Sequence, residues 1–423
     1  MQIAHISDLH YANETLTEVD HCTGAAVDFA ISGGVDLAVI SGDATDHGID
    51  VHSPAFLALA KQIRRLTDHC PVLMLQGTFS HEPPGTLDVF RLLGGRYPVF
   101  VADRIGQAAW CGEAGWITSN SWAFDQVPDG AQALFTCLPT VNKADIASAV
   151  GARAASETVG EQMAVLLSGY APINRQARAL GVPTIGVSHG TVNGCLTEHG
   201  VPMAGLDHEF TVGTLFSAET SAFMLGHIHR HQCWEQDGRH VAYAGSIGRL
   251  HYGEEGEKGA LLWEVSAYSA TARQVVTPSR KMVDVVFDGK PDLDVLRSQV
   301  GALEGCFVRV RWQVAEEDKS AVDRKAIEAI LEHAAGFKLE GRVIPVLRAR
   351  AEGISQTATL AEKIERWATL VDVDPGPLAA RLVMLESRDP VAVANQALAI
   401  LSANKLAASA SAPQKQEMAD LFG

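Results

Sequence analysis

Three short apolar runs near the start of the chain each stop at a chemically active residue, and this recurrence limits the architectures open to it. "QIAHISDLH" ends in Asp8 and His10, "VDLAVISGD" in Gly42 and Asp43, and "CPVLMLQGTFSHE" in Gly77, His81 and Glu82. Each run has the length and apolar character of a strand that delivers polar residues at its carboxyl end. Segments with helical spacing, at 23–33 and 54–68, separate them, so the opening reads as βαβαβ and predicts a layered α/β sheet. "TIGVSHG", "AFMLGHIHRH" and "HVAYAGSIGRLHYGE" add three more short strands ending in Gly, His or Ser. In such folds the side chains that do chemistry collect at the carboxyl ends of strands.

A chain of 423 residues can bury a large core and suggests two to three domains. Its formal net charge of -16 argues against coating nucleic acid by bulk electrostatics, but is compatible with a local basic groove or a metal-charged cleft. There is no apolar run long enough to cross a bilayer and no secretory leader, so the expectation is a cytoplasmic protein without a membrane partner. The seven cysteines are scattered and form no C-x-x-C pair, which predicts reduced packing residues rather than a disulfide framework or a thiolate zinc site.

Residues 142–180 are Ala-rich and predict a helix pair. Composition shifts near Thr277 and Pro278, and the alternating strand and helix patterns that follow predict a small α/β domain at 278–350, with "RVIPVLRAR" as its last strand. Residues 351–404 predict a segment of amphipathic helices broken at "DVDPGP" and "RDP", with an apolar stripe at Leu360, Ile364, Trp367 and Leu370. The remainder, 405–423, reads as a flexible Ala/Ser/Pro tail ending in "MADLFG".

The strand-end residues have the chemistry of a two-metal phosphoester site, which needs hard oxygen and imidazole ligands, a shared carboxylate and a proton donor for the leaving oxygen. Asp8 and His10 are two apart and point to one side of an extended chain, so both can reach one ion. The same period puts His227 and His229 together, behind a glycine that permits close backbone approach. Asp43, His189 and the Ser80-His81-Glu82 loop complete the set. Any one of these residues alone reads equally well as a turn carboxylate or a hydrogen-bonded core histidine. Their joint placement at strand ends is what gives the pattern its specificity.

D-x-H, G-D, an H-[DE] loop, a strand ending in His and G-H-x-H, in this order, resemble the calcineurin-like metallophosphoesterase superfamily. The resemblance implies a layered metallophosphoesterase β-sandwich flanked by helices over residues 1–277, followed by the small α/β capping domain and the C-terminal helical segment. It implies that metal A is held by Asp8, His10, bridging Asp43 and His229. Metal B takes Asp43, His189, His227 and an oxygen from the third motif. His81 is the implied donor to the leaving alkoxide, with Glu82 as the orienter of its ring. The third motif departs from the family's G-N-H-[DE]: alignment on His81-Glu82 puts Ser80 in the Asn position, with Thr78 or water as rivals. A weakly held metal B follows as an expectation. Mn²⁺ is the implied ion, and Mg²⁺, Fe²⁺ or Zn²⁺ suit the same ligand types.

"YAGSIGRLHYGE" resembles the Gly-Ser-x-x-Arg segment of SbcD-like DNA exonucleases, which makes Arg249 and His251 candidates for substrate phosphate contacts. By that resemblance the chain is a DNA exonuclease/endonuclease subunit of repair or recombination. Its partners are then DNA and an SMC-like (SbcC-like) ATPase docked on the C-terminal helices, with a homodimer also open. "FVRVRW" places Arg309 and Arg311 on one strand face that could track phosphates. "MADLFG" resembles the short Leu-Phe peptides that dock into sliding clamps. Two other readings stay open: a phosphodiesterase for small or cyclic nucleotides, and a weakly catalytic DNA-repair scaffold.

Overall fold

The computed structural model describes residues 1–48, 50, 52–140, 159–202, 209–345, 354–356, 359–387 and 389–410. The chain divides into two units, Met1–Ile344 and Pro345–Gly423.

The first unit is built on two facing sheets. In the first, β1 (Gln2–Ile6), β2 (Leu37–Ile40), β3 (Val72–Leu75) and β4 (Val99–Ala102) run parallel in spatial order. Two later strands, β14 (Gly259–Val265) and β15 (Ala270–Val276), close the β1 edge as an antiparallel hairpin. The parallel strands are linked by helices α1 (Leu16–Ser32) and α2 (Pro54–His69). Pro54 begins α2, and the Ser53 hydroxyl accepts from the Phe56 amide, which gives that helix a capped start.

In the second sheet, β7 (Ala133–Leu138), β8 (Thr184–His189), β11 (Ala222–Gly226) and β13 (Arg239–Tyr243) form the parallel centre. On one side β12 (Gln232–Gln236) pairs with β13. On the other, β5 (Gly106–Trp110) and β6 (Trp116–Thr118) extend the sheet, all antiparallel. Strands β9 (Thr191–Val192) and β10 (Glu209–Phe210) form a separate short pair.

Period-two alternation sorts the strand residues into layers. Ile3, Val39 and Leu73 face the second sheet and pack with Phe135, Val187, Met224 and Trp263. Ala4, Ile6 and Ile40 face the other way, onto Val27 of α1 and Ile63 of α2. The outer face of the second sheet is covered by helices Val159–Gly169 and Val212–Ser217 through Leu166, Leu215 and Phe223. Helix, sheet, sheet and helix therefore stack in four layers, an α/β architecture. Sequence pattern located β1–β3, β8, β11 and β13, but it did not find β4–β7 or the β14–β15 hairpin.

The rest of the first unit carries a parallel sheet of β16 (Met282–Asp288), β17 (Phe307–Ala315) and β18 (Gly336–Ile344), with helices Leu293–Ser298 and Arg324–Ile330 between the strands. The last strand spans "GFKLEGRVI" and not the expected "RVIPVLRAR". Pairing with β17 places Gly336 opposite Phe307 and ends at Ile344 opposite Ala315. Residues 346–350 lie outside the described residues.

The second unit contains helices Leu360–Leu370, Gly376–Ser387 and Pro390–Ala410. The first starts in a capping box, with the Thr359 hydroxyl accepting from the Glu362 amide and the Glu362 carboxylate from the Thr359 amide. The last runs to Ala410, past the expected start of the tail at 405; residues 411–423, with "MADLFG", lie outside the described residues. Of the seven cysteines only Cys233 is exposed. Among the described residues no helix is long and apolar enough to cross a membrane.

Candidate metal centre

The carboxyl ends of β1, β2, β3, β8 and β11 meet at one cleft. Backbone bonds zip the loops after β1 and β2 together: Asp8 N–H to the Gly42 carbonyl at 3.2 Å and His10 N–H to the Asp43 carbonyl at 3.0 Å. This pairing holds both loops in left-handed turns, with φ of 50° at Asp8, 48° at His10 and 51° at Asp43. His227 is at φ 98°. Four of the expected ligands thus occupy backbone conformations that non-glycine residues rarely adopt, strain of the kind that clusters at functional sites.

Gly226, just before His227, is required by close approach. A Cβ there would run into the Ser41 carbonyl, the Ser7 hydroxyl and the His189 ring. Gly77 is packed as tightly, against the carboxylate and backbone of Asp43. Both glycines let backbone segments close around the side chains that carry charge.

Two donor groups result. Asp8, His10 and His229 form one, and Asp43, His189 and His227 the other; within each, the donor atoms lie within 4.8 Å of one another. His10 Nε2 is 3.2 Å from His229 Nε2 and 4.0 Å from Asp8 Oδ1. Asp43 Oδ2 lies 3.2 Å from His189 Nε2 and 4.0 Å from His10 Nε2, so the Asp43 carboxylate stands between the groups. These spacings bracket the roughly 3.4 Å edge of a tetrahedral coordination shell with metal–ligand bonds of about 2.1 Å.

The electrostatics suit cations. Burial pushes His10 down to about 4 and His229 well below its usual value, so both rings present lone pairs at neutral pH. Burial also raises Asp8 to about 6. Asp43 is buried too, but the His189 imidazole beside it holds its carboxyl below the usual range, and Asp43 in turn lifts His189 to about 9 against burial. His189 Nδ1 bonds the Ser41 carbonyl at 2.8 Å, which turns Nε2 towards Asp43. The Asp43 carboxylate facing His189 Nε2 at 3.2 Å marks a place where a divalent ion fits. One carboxylate and two imidazoles per group make a donor set for Mn²⁺, Fe²⁺ or Zn²⁺.

The third-motif loop resolves differently from its alignment. Thr78, not Ser80, enters the site: its amide donates to Asp43 Oδ1 at 2.6 Å, and its hydroxyl lies 3.1 Å from Asp43 Oδ2 and 3.3 Å from His189 Nε2. Ser80 is exposed at the outer turn of the loop. The two extra residues relative to the family motif shift the inward oxygen from position 80 to 78.

His81 stands at the rim, its ring 4.7 Å from that of His10 in an edge-on contact. Glu82 does not orient it. The Glu82 carboxylate is fully buried and accepts from the Ala44 amide at 2.6 Å and the Gly77 amide at 2.5 Å, stapling the third loop to the second. Asp46 orients His81 instead, with Oδ1 3.0 Å from His81 Nδ1. Sequence reasoning passed over Asp46 because "DATDHG" reads as a turn.

Arg249 does not face the cleft either. Its guanidinium donates to the carbonyls of Ser279 at 3.1 Å and Gly256 at 2.7 Å, tying the strand-end loop to the start of the next segment. His251 does line the cleft, its ring stacked over His229 at 6.1 Å. Arg309 and Arg311 both close on Asp284, and Arg309 also lies 4.8 Å over the Tyr252 ring, so neither is an uncommitted phosphate contact. Lys258, also missed, is buried. It pairs with Glu254 and donates to the His229 carbonyl at 2.8 Å and the Ser246 hydroxyl at 3.1 Å, pinning the backbone that presents His229.

The cleft, about 460 Å³, is lined by His10, Asp43, Asp46, Thr78, His81, His227, His229 and His251. Layered sheets and clustered Asp and His donors define an α/β protein whose cleft carries the donor types of a dinuclear metal site. No family model matches the chain, and no curated protein matches it in sequence. Among solved structures it is similar to GAP50, the anchor in the inner membrane complex of Plasmodium (11% identity, 67% of this chain and 91% of that one, TM-score 0.39). It is also similar to a dimetal phosphatase from Danio rerio (13% identity, 66% and 99%, TM-score 0.38). A Vps29 single mutant from Entamoeba histolytica is a third (10% identity, 65% and 99%, TM-score 0.26).

Proposed function

We propose that this protein is a dinuclear-metal phosphodiester hydrolase acting on DNA. The observation that carries the reading is the Asp43 carboxylate standing between two His/Asp donor groups at the convergence of five strand ends. Two divalent ions bound there supply Lewis acidity at phosphorus and a nucleophile at neutral pH.

The chain's own residues do the rest. Asp8, His10 and His229 hold one ion, and Asp43, His189, His227 and the Thr78 hydroxyl the other. His81 delivers a proton from Nε2 to the leaving oxygen, while Asp46 accepts from Nδ1 and fixes the ring. DNA as substrate rests on the motif order and the Gly245-Ser246-x-x-Arg249 segment.

Exposed Leu370, Val391, Leu398 and Leu401 on the C-terminal helices support an ATPase-docking role for that unit. The sliding-clamp contact falls on residues outside those described.

One observation favours a second reading, a small nucleotide diester. Arg249, Arg309 and Arg311 are all engaged internally, so no cationic track leads to the cleft from these residues. Incubating the protein and Mn²⁺ with linear DNA, and separately with an aryl phosphodiester, tests both. DNA degradation abolished by His81→Ala supports the nuclease, hydrolysis of the aryl diester alone supports the small-diester enzyme, and no turnover of either leaves a non-catalytic scaffold.

A further inference from the structure

A buried line of hydrogen bonds runs from the middle of the sandwich to the proposed ligand Asp8. Trp263 Nε1–H donates to His5 Nδ1 at 3.3 Å, and His5 Nε2 meets the Ser41 hydroxyl at 2.8 Å. The Ser41 hydroxyl donates to the Ser7 hydroxyl at 2.8 Å, and Ser7 to Asp8 Oδ2 at 2.6 Å. His5, Ser7, Ser41, Asp8 and Trp263 are all fully buried. Strand geometry sets the line: His5 and Ser7 share the inner face of β1 and its extension, Ser41 follows β2 on the same face, and Trp263 pairs with Ile3 across the β1–β14 ladder.

The two ends fix the direction of every proton between them. An indole nitrogen only donates and a carboxylate only accepts. His5 must therefore accept at Nδ1 and carry its hydrogen on Nε2, and each hydroxyl must point towards Asp8. Asp8 Oδ2 is thereby committed to Ser7. Both oxygens also accept from the His227 amide, at 3.0 and 3.1 Å, and Oδ1 faces the imidazoles, 3.8 Å from His229 Nε2 and 4.0 Å from His10 Nε2.

We infer that His5 is a positioning residue for metal binding, which holds Asp8 as a single-oxygen ligand through Ser41 and Ser7. The inference rests on the reading of Asp8 as a metal ligand. Partners behind first ligands set their orientation and basicity, and their loss typically costs about 10–100-fold in metal affinity. The effect falls mainly on one side of the centre, because His189 is held by the Ser41 backbone carbonyl, which a change at His5 leaves in place, and His227 meets Asp8 through its backbone amide and not its ring.

The test is calorimetric titration of the full chain with Mn²⁺ in two backgrounds: His189→Ala, which leaves the Asp8 side, and Asp8→Asn, which leaves the Asp43 side. His5→Leu should weaken Mn²⁺ at the Asp8 side about tenfold and leave the other side unchanged. His5→Gln, whose amide again offers an acceptor beside a donor, should recover most of the loss. Should His5→Leu fail to fold in urea controls, Trp263→Phe keeps the bulk and removes only the terminal donor, and it should weaken the same side. Unchanged affinity at the Asp8 side, or equal weakening at both sides, overturns the inference. Absence of Mn²⁺ uptake by the unsubstituted protein overturns the metal reading and this inference with it.

Discussion

The Thr78 hydroxyl lies 3.1 Å from Asp43 Oδ2, where the family motif would present an amide oxygen. A neutral hydroxyl is a weaker donor than an amide carbonyl, so an ion held by Asp43, His189 and His227 would be the looser of the two. Calorimetry with Mn²⁺ should resolve one tight and one weak site, and two equally tight sites would contradict this. Thr78→Val should weaken the weak site roughly tenfold further, whereas Ser80→Ala should leave both unchanged.

Asp46 and His81 act as a pair. His81→Ala should lower kcat by about 10²–10⁴ without changing metal stoichiometry, the range expected for loss of a positioned proton donor. Asp46→Asn should lower kcat in the same direction, because the carboxylate that accepts from Nδ1 and fixes the His81 ring is gone. Glu82→Gln should instead act on stability, by about 1–3 kcal/mol, since it turns an amide NH₂ towards the backbone N–H of Gly77 or Ala44. Urea unfolding beside steady-state rates separates the two kinds of effect. A Glu82→Gln enzyme with normal stability and lost kcat would refute the assignment.

Lys258 is buried with Glu254 and carries the His229 carbonyl. Removing one partner of such a pair leaves a buried charge, and Lys258→Met should cost about 3–5 kcal/mol in unfolding free energy. Lys258→Met with Glu254→Gln should recover part of that stability while still loosening His229. The double variant should therefore approach normal stability with weakened metal binding. Full recovery of both would remove Lys258 from the site.

Why were some of these residues legible in sequence and others not? Asp8, His10, Asp43, His189, His227 and His229 close short apolar runs at strand ends, which made their order legible, but positive-φ turns at Asp8, His10, Asp43 and His227, and not strand period, bring them together. Asp46, Lys258, Ser41 and His5 act through partners far along the chain, and nothing local separates them from turn or core residues. Arg249 shows the converse. Its motif is visible, but carbonyls at Gly256 and Ser279 capture the guanidinium, and only tertiary contacts reveal that. The Ser80 alignment failed for a geometric reason: an insertion in a tight loop changes which residue turns inward, and residue types cannot register that.

His5 gives the pH dependence its sign. Burial first, and then the charge of His231, push its imidazole down to about 3, against 6.5 in an open chain. Below pH 6.5 the unfolded chain takes up a proton that the folded protein refuses. The stability held by the neutral ring is thus complete above 6.5 and is lost as pH falls from 6.5 towards 3. The slope is at most about 1.4 kcal/mol per pH unit, so moving from pH 7.5 to 5.0 should cost about 2 kcal/mol through this residue. Other buried histidines add their own slopes, so the comparison is between the unsubstituted protein and His5→Gln, both unfolded in urea with chelator at the two pH values. The Gln variant should lose about 2 kcal/mol less over that interval. Parallel losses would mean that His5 is protonated in the folded protein, and the Trp263 donor could not then be facing an unprotonated Nδ1.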